Sequence, residues 1–229
     1  MSMTERPEDV WARTKSMFEA GADGPPLTLG PYFAFIVRKS PRRLLHMLSY
    51  YKFAAKMIGE RKRILEVGCS EGFGTQLLAE FAVETVGIDY DEAAIATANA
   101  TVARENLRFV CGDVMAAGLS DFDAAVALDV IEHVERKDED AFVASMCSAL
   151  DRRGIAIIGT PNETSNQYAS PHTRAGHINL YSADRLRALG EKHFENVFMF
   201  SANDEVVHTG FAPMAHYLIA LCVAPKAPR

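Results

Sequence analysis

The chain has 229 residues, 48% hydrophobic, 24% charged and 9% aromatic, with 15 glycines and 10 prolines, a balance that excludes disordered, collagen-like and coiled-coil chains. Its 24 Lys and Arg against 30 Asp and Glu give a net charge of −6, which disfavours nucleic-acid backbones and anionic membranes as partners. Four cysteines without a CxxC pair, no run near the roughly 20 apolar residues of a membrane helix, and a charged N-terminus (MSMTERPEDVWARTK) with no apolar run behind it predict a reduced, soluble, cytoplasmic domain.

In chain order, residues 7–19 read as a weak helix and residues 21–31 as a turn-rich stretch. Ser40 reads as an N-cap with Pro41 at the first helical position; Leu44, Leu45, Leu48, Ala55 and Ile58 trace an apolar stripe, and Gly59 ends the helix. Residues 1–60 are therefore expected to be a helical extension, or lid, packed on a domain that occupies residues 61–229.

From residue 63 onward strands and helices alternate. Strand-like runs at 63–67, 85–89, 107–111, 124–128 and 155–159 are separated by helical patterns at 75–81, 91–102 and 138–153. Asp91 is a cap for the second of these, and Gly154 a terminator for the third. A helix opening at Ser182 precedes two last strands at 196–200 and 216–224, which lack a helix between them and so predict an antiparallel pair. The expected fold is α/β: a Rossmann-like, doubly wound, seven-stranded mixed sheet whose last strand is antiparallel, with the N-terminal helical extension.

In such sheets ligands bind outside the carboxyl ends of the strands, where strand order reverses. There the first strand ends in Glu66 and a turn with glycines at 68, 72 and 74; the second ends in Asp89, suited to the two hydroxyls of a ribose; the third leads to Asp113, within reach of an adenine amine. A Gly-rich turn alone is equally a tight strand-to-helix connection. Followed by two strand-terminal carboxylates, it points to an adenosine-containing ligand.

The runs ILEVGCSEGFGT, VGIDYD, CGDVM and LDVIEHV resemble the class I S-adenosylmethionine-dependent methyltransferases over about residues 60–224. Glu132-His133 after the fourth strand, Thr160-Pro161-Asn162, His177 and Ser182 are similar to the small-molecule ubiquinone-biosynthesis O-methyltransferase type. Ser70 departs from the usual glycine, and the loop is expected to tolerate it. The resemblance implies S-adenosyl-L-methionine as cofactor and S-adenosyl-L-homocysteine as product. It implies that Glu66 and the turn of Gly68, Cys69, Ser70 and Gly72 hold the methionine end. Asp89 would take the ribose, Tyr90 would lie beside the adenine, Asp113 and Val114 would hold the base, and the Asp129-Val130 backbone would run beside the sulfonium. A nicotinamide-dependent dehydrogenase is the rival for this geometry, but Glu66 would repel a pyrophosphate where it suits an ammonium group.

For the acceptor, the informative segments are residues 129–136, 160–181 and 201–214, which carry His133, His172, His177 and His208. A loop histidine is usually just solvated, yet residues 160–181 form a connection far longer than an ordinary β-to-α link, and a polar one. They predict a polar small-molecule acceptor. O-methylation is preferred, with His177 and then His133 as the base; N-methylation of a small amine or amino sugar is second, and a non-catalytic cofactor-binding module is a further alternative. His172 and His177 could hold a metal only with an acid that their loop does not supply, so no metal is expected. The N-terminal helix offers Tyr50, Tyr51, Lys52 and Phe53, either as a packed amphipathic face or as a lid from which Lys52 or a tyrosine reaches the cofactor's carboxylate. The Asn/Asp-Pro-Pro-Tyr motif of amino-methylating DNA enzymes is missing after the fourth strand, which agrees with the charge in disfavouring nucleic acid.

Overall fold

A computed structural model describes residues 5–21, 28–102 and 104–226 of the chain; most of the stretch read as turn-rich, residues 22–27, lies outside them. Three helices come first: α1 (Pro7–Gly21), α2 (Pro31–Lys39) and α3 (Pro41–Ile58). The strands are β1 (Arg63–Val67), β2 (Glu84–Asp89), β3 (Leu107–Cys111), β4 (Phe122–Leu128), β5 (Leu150–Pro161), β6 (Phe194–Ala202), β7 (Val207–His208) and β8 (Tyr217–Pro225). Helices α4 (Phe73–Ala79), α5 (Glu92–Thr101), α6 (Glu139–Ser148), α7 (Pro171–Gly176) and α8 (Ala183–His193) connect them.

The sheet runs β3-β2-β1-β4-β5-β8-β6-β7. Strands β1 to β5 are parallel, and β8 inserts antiparallel between β5 and β6. The chain winds outward from β1 to β3 and then restarts on the other side at β4, so the crevice opens at the carboxyl ends of β1 and β4. Burial on both faces explains the apolar runs of these strands. Ile64, Ala124, Val126, Ile157 and Ile219 pack under α3 and α4, while Leu65, Ala125, Ile158 and Ala220 pack under α6 and α8. Among the described residues no helix is long and apolar enough to cross a membrane.

Four expectations need correction. The sheet has eight strands, because the loop after β6 folds back as the two-residue β7, pairing Ala202 with Val207 and Ser201 with His208. The helix expected over 138–153 ends at Ser148, and Arg152 and Arg153 lie on β5, which starts early because Leu150 pairs with Phe122. Gly154 serves that bend: a side chain there would meet the Asp151 carbonyl oxygen and Leu150 Cβ at 2.9 Å. The buried face of α3 is Met47, Tyr50, Tyr51, Ala54, Ala55 and Ile58, while Leu45 is exposed; the leucines suggested a stripe rotated from the true one. Ser40 stands at the N-cap of α3, but its side chain makes no capping hydrogen bond, whereas Asp91 caps α5 by accepting from the Ala93 and Ala94 amides.

Candidate cofactor and acceptor site

Beyond Val67 the chain turns through Gly68, at φ 74°, directly against Val130; a Cβ at 68 would lie 2.4 Å from Val130 Cγ2. Ser70 also takes the left-handed region, at φ 48°, so serine accepts the conformation usually left to glycine. Its amide donates to Asp89 Oδ2 at 2.8 Å, and Asp89 Oδ1 accepts from the Asp91 amide at 2.9 Å. These two bonds fix the carboxylate and leave further lone pairs for hydroxyl donors.

A cavity of about 230 Å³ brings together Gly68, Cys69, Ser70, Asp89, Tyr90, Asp129 and Val130 of the expected set, with His133 at its far end. Tyr32 and Phe33 of α2 and Met47 and Tyr51 of α3 close it from above. The roof is tied to the Gly-rich turn, since Glu71 accepts the Tyr32 and Phe33 amides at 2.9 and 3.0 Å and so caps α2. Glu66 does not itself line the cavity; it is buried and in contact with Tyr51, which does. The Tyr51 hydroxyl donates to Glu66 Oε1, while Oε2 has no hydrogen-bond partner. Burial pushes this carboxyl up to about 7, although the neighbouring Thr75 and Tyr51 hydroxyls pull it down. A buried carboxylate oxygen with no partner fits a cationic amino group, as the methionine end of S-adenosylmethionine presents.

The remaining expected residues stand elsewhere. Gly72 packs behind the turn against Phe109. Asp113 is exposed beyond β3 and accepts the Met115 amide at 2.9 Å, and neither it nor Val114 lines the cavity. Lys52 is exposed and turned away, because one residue along a helix is about 100° of rotation; its neighbour Tyr51 faces in.

A second cavity, of about 240 Å³, adjoins the first at Asp129 and is lined by Arg43, His46 and Tyr50 of α3, Asn162, His177 and His216 among others. Asp129, at φ 59°, accepts from the Tyr50 hydroxyl at 2.5 Å, and Tyr50 stacks on Tyr217 with centroids 4.5 Å apart. The short 3-10 turn Ile131–His133 then buries Glu132 completely and leaves His133 at the opening. Thr160 donates to Glu132 Oε2 at 3.0 Å, whereas Oε1 has no partner. Burial and the Asp129 charge push this carboxyl up to about 8. His133 Nδ1 is 2.8 Å from the Gly176 carbonyl; a carbonyl only accepts, so Nδ1 donates this bond. The His177 ring stands perpendicular to it at 5.0 Å, its basicity lowered by burial and by His133.

His133 and His177 thus meet where the two cavities join, while His172 is exposed and neither it nor His208 lines the acceptor cavity. Sequence reasoning missed Arg43 and His46, and offered Tyr50 only as one of the lid residues near the cofactor's carboxylate. Their spacing of three and four with Met47 was the available signal, a helix face pointing one way.

Residues 65–158 match the methyltransferase domain family. A probable S-adenosylmethionine-dependent methyltransferase of Mycolicibacterium smegmatis is 34% identical over 119 residues, 51% of this chain and 44% of that protein. A ubiquinone biosynthesis O-methyltransferase of Parvibaculum lavamentivorans is 32% identical over 114 residues, 48% of this chain and 44% of that protein. The chain therefore spans about half the length of the relatives it matches. Among solved structures, the N-methyltransferase NodS of Bradyrhizobium japonicum, in complex with S-adenosyl-L-homocysteine, superposes with a TM-score of 0.60 at 19% identity, covering 83% of this chain and 91% of that one.

Proposed function

We propose that residues 65–158, which match the methyltransferase domain family, belong to a class I, S-adenosylmethionine-dependent methyltransferase, and that the protein methylates a hydroxyl of a polar small molecule held in the cavity beneath Arg43, His46 and Tyr50. The observation that carries this reading is the junction of the two cavities. Asp129 lines both, His133 lines one and His177 the other, so a methyl donor and an acceptor bound in them would meet beside two imidazoles. The name of the Parvibaculum relative, an O-methyltransferase, agrees with a hydroxyl acceptor.

S-adenosylmethionine supplies a methyl group on a positively charged sulfur. The S–CH₃ bond breaks with its electron pair left on sulfur as the new O–CH₃ bond forms. The chain's own part is alignment and proton handling. Asp89 would accept from the ribose hydroxyls, Glu66 would pair with the amino group, and Gly68 and Val130 would hold the methionine end beside β4. Tyr90, 83% exposed and on the cavity wall, would lie beside the adenine. Helices α2 and α3, the inner part of the 1–60 extension, act as the roof that excludes water from the reacting centre. The His177 ring takes the acceptor's proton, with His133 held beside it by the Gly176 carbonyl.

Titration calorimetry with S-adenosylmethionine, on wild type and Asp89→Ala, tests the cofactor half. Micromolar-range binding weakened by at least about a hundredfold in the variant is expected, and equal binding would refute the assignment. A panel of phenols, catechols and hydroxylated sugars assayed for methyl transfer tests the acceptor half, and transfer to amines alone would overturn it.

A further inference from the structure

Resting on the reading of His177 as the base, we infer that Glu139 is a positioning residue for methyl transfer: with Asn179, Tyr181 and Arg185 it forms a strap that holds the His177 segment against the turn after β4. Glu139 opens α6 and lines neither cavity. The fold brings three side chains to its carboxylate, Asn179 and Tyr181 from the end of the long connection and Arg185 from the first turn of α8.

Glu139 Oε2 accepts from Asn179 Nδ2 at 2.9 Å, from the Tyr181 hydroxyl at 2.7 Å and from the Arg185 guanidinium. Arg185 closes the ring by donating to Asn179 Oδ1 at 2.7 Å and to the Leu180 carbonyl, and its guanidinium lies 4.1 Å from the centre of the Tyr181 ring. Asn179 and Tyr181 are buried, and the Glu139 and Arg185 side chains are 14% and 22% exposed. The pair is therefore shielded from the solvent that makes surface ion pairs weak. Although burial opposes ionisation, the Asn179 and Tyr181 hydrogen bonds and the Arg185 charge hold the Glu139 carboxyl below its ordinary value. Neutralising it would leave a largely buried guanidinium short of its anion.

The strap grips the acceptor site at both ends of the connection. His177 precedes Asn179 by two residues. The Asn179 amide donates to the Glu132 carbonyl at 3.1 Å, and the Gly176 carbonyl accepts from His133 Nδ1 at 2.8 Å. These two bonds bracket His177 and stitch its segment to the turn that carries His133. At the other end, the Tyr181 carbonyl accepts from the Glu163 amide at 2.8 Å. Its neighbour Asn162 lines the acceptor cavity and donates to the Ala212 and Ala215 carbonyls, each at 2.8 Å. Misplacing a reacting group by about 1 Å costs about a hundredfold in rate, so a contact that fixes this backbone acts on transfer without touching the reactants.

The test compares wild type, Glu139→Gln and Tyr181→Phe with Asp140→Asn, which weakens the exposed contact of α6 with Lys192 of α8 at 2.9 Å and should behave as wild type. Glu139→Gln keeps the shape and removes the charge; Tyr181→Phe removes one donor and keeps the buried ring. For transfer to a hydroxyl acceptor, kcat is expected to fall at least about tenfold in Glu139→Gln and about threefold in Tyr181→Phe, with S-adenosylmethionine affinity within about twofold. In a His177→Ala background Glu139→Gln should cost less than about twofold, because the group it positions is gone. Hydrogen exchange needs no acceptor: at the Asn179 amide it should be at least about tenfold faster in Glu139→Gln, and unchanged at the amides of β4. Melting curves confirm that each variant is folded. Unchanged kcat, an equal loss with and without His177, or Asn179 exchange equal to that of wild type overturns the proposal. Faster exchange at Asn179 with transfer that His177→Ala leaves intact supports the strap and refutes His177 as the base. The expected pattern with amine acceptors alone supports the strap and refutes O-methylation.

Discussion

Glu66→Gln separates what this residue does for stability from what it does for the cofactor. The native carboxyl titrates at about 7 instead of 4.5 because it is buried. Its folded form therefore binds a proton more tightly than its unfolded form. Stability from this group is fully present below about pH 4.5, falls as pH rises towards 7, and stays at its lower level above that. At about 1.4 kcal/mol per tenfold change in proton affinity, the difference from 4.5 to about 7 amounts to roughly 3 kcal/mol. Glutamine has the same shape, keeps an oxygen to accept from Tyr51 and carries no charge to desolvate. Relative to wild type it should be more stable by about 2–3 kcal/mol at about pH 8 and nearly equal at about pH 5. Urea denaturation of both proteins at both pH values measures this directly, since other titrating groups cancel in the comparison. Cofactor affinity should move the other way. On the proposed pairing of the ionised Glu66 carboxylate with the cofactor's amino group, wild-type affinity for S-adenosylmethionine should weaken about eightfold between about pH 7.5 and 6, while Glu66→Gln binds weakly and with little pH dependence. A variant whose stability differs from wild type by the same amount at both pH values would refute the argument, as would one that binds the cofactor as tightly as wild type at about pH 7.5.

Three further outcomes follow from the same contacts. Glu71→Gln weakens the charge-assisted cap on α2 and should cost about 1–2 kcal/mol, with faster hydrogen exchange at the Tyr32 and Phe33 amides than at those of β4; unchanged exchange there would show that the roof is held by other contacts. Gly74→Ala places a methyl about 2.0 Å from the Tyr51 ring, so Tyr51 must move off Glu66; loss of at least about 2 kcal/mol is expected, and a neutral result would mean that α3 shifts freely. Tyr50→Phe removes the donor to Asp129 at 2.5 Å and leaves the stack on Tyr217; methyl transfer should fall with cofactor affinity within about threefold, and an equal loss of both would place Asp129 in cofactor binding alone.

The inner part of the fold was legible because its signals are local. A strand buried on both faces needs a continuous apolar run, and β1, β2, β4 and the later part of β5 show one. Signals that failed were those where tertiary contact outvotes local preference. Residues 150–153 look helical beside Glu139 and Asp140, yet Leu150 is claimed by Phe122 on the neighbouring strand. Two residues of β7 carry no pattern of their own and are strand only because β6 presents an edge to them. On α3 the leucines were misleading, since the helix covers a sheet face with tyrosines, whose hydroxyls then serve Asp129 and Glu66.

The expected residues that do line the first cavity share one property: each sits within a few positions of a strand's carboxyl end, where topology alone fixes its neighbourhood. Asp89 and the turn from Gly68 to Ser70 depend on nothing but β1 and β2 lying side by side. Lys52 failed because on a helix an error of one position turns a side chain by about 100°, while along a strand end it shifts a group by only a few ångströms. The junction depends on more. His177 reaches Glu132 and His133 only because residues 160–181 fold into a 3-10 turn and α7, bringing the Gly176 carbonyl onto the His133 ring. Neither histidine, read alone, distinguishes a base from a ligand. Behind them lies Glu132, buried with one oxygen unpartnered, a residue that the sequence tied to His133 only as a shared motif. Its burial follows from the sharp reversal at Asp129, which turns the chain back under β5 and delivers the carboxylate to Thr160. A left-handed aspartate at the end of a strand leaves no mark in composition or periodicity. Yet it decides which side chains meet where the two cavities join.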